Sequence, residues 1–88
     1  MRYARTDANH SQIVDCLRKC GASVQSLASI GKGCPDLLVA KDGETWVIEV
    51  KGKTGQLTPD QVEWISKWRG PVHIVRTEDD VLRLVGEE

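Results

Sequence analysis

Asp42-Gly43 is the feature that most constrains this chain. Aspartate then glycine between two aliphatic runs is what a two-residue hairpin loop selects, because a type I′ turn requires positive φ at both central positions. With these residues as the loop, Lys41 faces Glu44 and the numbers of paired residues keep a constant sum. Asp36 then stands directly opposite Glu49. Directly opposed residues share a sheet face, with Cβ atoms roughly 4.5–5.5 Å apart. Lys51, the next but one after Glu49, points to that same face.

Two opposed carboxylates repel and weaken a sheet. A divalent ion between them removes the penalty, since Mg²⁺ is held by one or two carboxylates together with waters and substrate phosphates. A lysine beside the pair supplies positive charge for a phosphate oxygen or an attacking water. The alternative reading is an ion-pair ladder in which Lys51 simply neutralises Glu49. Leu38, Ala40 and Val47 share the acidic face, while Leu37, Val39, Trp46, Ile48 and Val50 occupy the other. With both faces apolar, the hairpin is expected inside a covered sheet, its charges gathered at one end. Carboxylates at such a place are costly unless they have a role.

Three blocks in order carry a resemblance: Gly33-Cys34-Pro35-Asp36-Leu37, Ile48-Glu49-Val50-Lys51 and Leu57-Thr58-Pro59-Asp60-Gln61. Pro-Asp followed by Glu-Val-Lys on the next strand resembles the signature of the PD-(D/E)xK nuclease superfamily. The three blocks together resemble a minimal, stand-alone VRR-NUC domain of the kind carried by phages and bacteria, over nearly the whole chain. The resemblance implies an α/β sandwich of restriction-endonuclease type, a central mixed sheet flanked by helices.

Its functional implications are specific. Asp36, Glu49 and the backbone carbonyl of Val50 would hold Mg²⁺ or Mn²⁺. Asp36, Glu49 and Lys51 would be the catalytic set of a metal-dependent endonuclease hydrolysing DNA phosphodiester bonds. Gln61, Lys53, Lys32 and His10 are the candidate DNA contacts, with Gln61 beside the site. Minimal nucleases of this fold commonly cut branched DNA, including four-way (Holliday) junctions, as twofold homodimers. In the family the first helix usually contributes a further acid. By spacing from Gly21, His10 stands at that position here, with Asn9 and Gln12 beside it. That departure is the basis of a rival reading, a DNA-binding module that keeps the fold without the chemistry.

A chain of 88 residues makes one domain, 1–88, burying only roughly 60–65% of its unfolded surface. No apolar run approaches the roughly 18 residues of a membrane span. The N-terminus, with Arg2, Arg5 and Asp7, lacks a signal-peptide core. A soluble protein of the cytoplasm of a bacterial or phage-infected cell is expected. The formal net charge of −1 excludes a histone-like, charge-driven DNA binder, but not a metal nuclease, whose ion supplies local charge. The three cysteines, Cys16, Cys20 and Cys34, form no CxxC pair and suit packing in a reducing compartment.

The remaining elements follow from periodicity and caps. A first helix is expected over Ala8 to Cys20, with Asp7 as N-cap, Ile13, Val14 and Leu17 as its stripe and Gly21 as its stop. Ala22 to Leu27 reads as a strand. Thr58-Pro59-Asp60-Gln61 is a capping-box helix start, and the helix should end at Arg69-Gly70-Pro71. Trp64 and Trp68 on it are assigned to core or dimer surface. Val72 to Val75 should form a buried strand parallel to the Glu49 strand through that crossover helix. Thr77 to Asp80 should cap a last helix over Val81 to Val85.

Overall fold

The computed structural model describes residues 8–86. Its elements are α1 (His10–Lys19), β1 (Ser23–Ser26), β2 (Leu37–Lys41), β3 (Glu44–Val50), α2 (Pro59–Lys67), β4 (His73–Val75) and α3 (Glu78–Val85). The four strands form one mixed sheet in the order β1-β2-β3-β4. β1, β2 and β3 are antiparallel in turn, and β4 lies parallel to β3. The helices flank this sheet, an architecture compatible with an α/β nuclease-like fold.

The hairpin forms as its loop dictates. Asp42 and Gly43 adopt φ of 53° and 85°, the positive values a type I′ turn demands, and Lys41 pairs with Glu44 and Leu37 with Ile48. Ile13 and Leu17 of α1, Leu37 and Val39 of β2, Ile48 and Val50 of β3, Val75, and Val81 and Val85 of α3 make one buried cluster. This is the face covered by α1 and α3.

The acidic face is less covered than its apolar residues predict. Leu38 stays 38% exposed, because α2, which meets that face, contributes no buried residue. Trp64 and Trp68 are accordingly not core residues. Their rings stack with centroids 4.8 Å apart at 23°, and Trp68 is exposed.

Element ends differ from expectation for local reasons. Helix α1 starts at His10 with Asn9 as its cap residue, and Asn9 makes no side-chain cap bond because its amide donates instead to the carbonyls of Lys51 and Arg76, at 3.2 and 2.8 Å. Asp7, the expected cap, lies outside the described residues. Helix α2 stops at Lys67, where Trp68 turns to extended backbone ahead of Gly70-Pro71. Helix α3 starts at Glu78, before the expected Val81, because Thr77 and Asp80 cap each other reciprocally. In β4 only Val75 is buried, as suits an edge strand with a single neighbour.

Candidate active site

The ladder between β2 and β3 ends at Leu37 and Ile48. Continued by one residue it would pair Asp36 with Glu49, and by two Pro35 with Val50. Pro35 has no N–H, so it offers no donor to the Val50 carbonyl. The Val50 N–H in turn is accepted by Asp36 Oδ2 at 2.8 Å. Asp36 is also held from its other side, its own carbonyl accepting from Leu27 N at 2.8 Å. A proline at the ladder's end thus detaches the strand and lets the aspartate side chain take its place.

Glu49 is 3% and Lys51 8% exposed, so both charges sit inside the protein. Lys51 Nζ stands 3.6 Å from Glu49 Oε2. Gln61 Nε2 donates to the same oxygen at 3.0 Å. Burial, then the charge of Asp36, pushes the Glu49 carboxyl up to about 7, with Lys51 acting against them and a side-chain hydrogen bond to Asp36 adding to the rise. Glu49 therefore keeps its proton well above the usual carboxylate range, with the charge of Asp36 beside it as a contributing cause. Burial raises the Cys34 thiol as well, and Glu49 and Asp36 add to it. Cys34, assigned from sequence to packing alone, is thus a half-buried neighbour of the pair.

A cation here would meet the side-chain oxygens of Asp36 and Glu49, with the Val50 carbonyl, one residue on from Glu49, as the further ligand that the resemblance implies. Among the described residues, no cluster of three or more His, Cys, Asp and Glu side chains could hold a metal. Two carboxylates with a carbonyl still match the hard-oxygen chemistry of Mg²⁺ or Mn²⁺, ions that keep several waters.

The other sequence candidates are dispersed. Lys32 is exposed, at φ 56° in its loop, and borders a groove with Asp60, Glu63, Trp64 and Lys67. Lys53 is exposed, its carbonyl accepting from Arg76 Nη1 at 3.4 Å, with the same nitrogen 2.6 Å from the Gly52 carbonyl. His10 borders a groove with Val14, Val24 and Leu37, on the α1 side of β2 and away from the acidic face. Its Nε2 is buried and unpartnered among the described residues. The α1 residue that reaches the end of β3 is Asn9, through the Lys51 carbonyl. Arg76, which ties down the loop after Lys51, was not singled out in the sequence, where nothing in its surroundings distinguishes it from a surface arginine.

A mixed sheet with the buried Glu49, the half-buried Asp36 and Lys51 gathered at one end is compatible with a nuclease-like α/β protein. The family model described as VRR-NUC domain matches residues 1–75, and the chain belongs to that family. A nuclease-type function acting on DNA follows from the membership. No curated protein and no solved structure matches the chain. No helix among the described residues is long and apolar enough to cross a membrane.

Proposed function

We propose that this protein is a metal-dependent endonuclease of PD-(D/E)xK type that hydrolyses DNA phosphodiester bonds. The observation that carries the reading is the buried Glu49, paired with Lys51 at 3.6 Å and set beside the half-buried Asp36. Asp36, Glu49 and the Val50 carbonyl would hold Mg²⁺ or Mn²⁺. When bound, the ion polarises a phosphoryl oxygen and lowers the pKa of a water. Asp36 is pre-set for this by the Val50 N–H, which fixes one carboxylate oxygen. Lys51, its stem buried and its ammonium anchored near Glu49, orients the attacking water and offsets negative charge gathering on the phosphate. Lys53 and Lys32, exposed on the loops either side of the pair, contact the DNA backbone, and the 1–88 unit acts as a single domain in the cytoplasm.

The substrate reading is branched DNA, four-way junctions included, cut by a homodimer whose two sites act on opposing strands. Ile30, Leu38, Val62 and Trp68 remain 60%, 38%, 52% and 45% exposed, which supports a partner surface. The rival, a DNA-binding module without chemistry, draws on the missing acid at the start of α1, where Asn9 and His10 stand. Against it stands the burial of Glu49, a cost that binding DNA does not require. Purified protein incubated with linear duplex, flap and four-way-junction DNA in Mg²⁺, Mn²⁺ or EDTA tests both. Metal-dependent cutting that favours the junction is expected; binding without cutting in every metal supports the rival.

A further inference from the structure

We infer that Gln61 is a positioning residue for the Glu49 carboxylate, aimed by the capping box that starts α2. A primary amide has an accepting end and a donating end, and here each has one partner. Gln61 Oε1 accepts from Thr58 N at 2.9 Å, while Gln61 Nε2 donates to Glu49 Oε2 at 3.0 Å. The backbone closes the box, Gln61 N donating to Thr58 Oγ1 at 3.2 Å. Thr58 N needs an acceptor and a carboxylate needs a donor, so the two neighbours together dictate which way the amide lies.

The helix cap alone does not explain a glutamine. The third position of a capping box serves equally well as glutamate, because the cap uses only an acceptor. Glu49 is what requires the second, donating end. Core packing does not explain the contact either, since α2 has no buried residue. What seats the helix is Gly33, where a Cβ would collide with the Asp60 carbonyl and lie 2.9 Å from Gln61 N. The loop leading to Asp36 therefore rests on the same turn that carries Gln61. One helix start holds both halves of the carboxylate pair in relation to each other.

The kinetic consequence rests on the nuclease reading; the contact itself does not, and the two are tested separately. In the ¹⁵N spectrum of the metal-free protein, the Gln61 side-chain amide protons should exchange slowly with solvent. Glu49→Ala should release them while the α2 backbone amides stay protected. Unchanged side-chain exchange in that variant overturns the inference. Gln61→Glu keeps the acceptor, so α2 should remain capped and the protein folded, but the donor to Glu49 is lost. With junction DNA and Mn²⁺ its kcat should fall roughly 10–100-fold, the usual cost of losing a ligand's supporting partner, with KM for DNA unchanged. A Gln61→Glu protein of wild-type kcat overturns the positioning role. A wild type that shows slow amide exchange yet cuts no DNA overturns the nuclease reading and leaves the contact standing.

Discussion

Asp36 accepts the Val50 backbone N–H at 2.8 Å, the bond the ladder would have placed on Pro35. The β2–β3 ladder ends at this point, where one Asp36 carboxylate oxygen is fixed and Glu49 has an acid beside it. Pro35, with no N–H to offer the Val50 carbonyl, removes one of the two bonds that would have continued the ladder.

Stability of the metal-free protein should fall as pH rises from about 4.5 to about 7. Between those values the native Glu49 keeps a proton that the unfolded chain has released, so deprotonation favours unfolding. Asp80 acts in the opposite sense at lower pH, its carboxyl held down chiefly by the Arg76 amide. Melting curves in EDTA across this range should slope downward for the wild type and flatten for Glu49→Gln. Millimolar Mn²⁺ at alkaline pH should restore the lost stability, because an ion that binds only the native state stabilises it. A flat wild-type profile would mean that the fold does not hold Glu49 protonated.

Lys51→Ala should leave ion binding largely in place and slow cleavage at least about tenfold, a barrier change of about 1.4 kcal/mol. The Lys51 charge lowers the Glu49 carboxyl, so the rising limb of the pH–rate curve should also move to higher pH. An unchanged rate would reduce Lys51 to a neutraliser of Glu49.

Gly33 and Gly43 share a φ of 85°, yet only Gly33 has a neighbour in the way of a Cβ. Gly43→Ala should cost about 1–2 kcal/mol from backbone strain, and Gly33→Ala a further ~1–3 kcal/mol from the clash with α2. Urea unfolding of the two variants makes the comparison. Equal losses would mean that the loop does not bear on the helix start.

A homodimer is expected from the exposed Ile30, Val62 and Trp68 on a domain too small to bury much more. Light scattering at micromolar concentration should return twice the chain mass, and a monomeric mass would end the paired-site reading of junction cleavage.

Much of this was legible in the sequence because it rests on local rules. Asp42-Gly43 set the hairpin register and with it the meeting of Asp36 and Glu49; Thr58 and Gln61 announced α2. The rest depends on contacts that local rules do not carry. Asn9 gave up a cap bond for the carbonyls of Lys51 and Arg76, partners far away in the chain. Trp64 and Trp68 lie at a spacing that signals a buried stripe, but they stack on each other with Trp64 half-buried and Trp68 exposed. The resemblance set Gln61 beside the site as a DNA contact, but its bond to Glu49 was not legible, because the capping pattern already accommodates a glutamine there.

The account turns on the Asp36–Glu49 pair acting as a cation site for DNA hydrolysis. Its most direct test is cleavage of a labelled four-way junction by wild type and Asp36→Asn, each in Mn²⁺ and in EDTA, after both are shown to be folded. Cutting by the wild type in Mn²⁺ alone, with none in the other three reactions, is the predicted result. Cutting by the wild type in EDTA, or by Asp36→Asn at the wild-type rate in Mn²⁺, would contradict it.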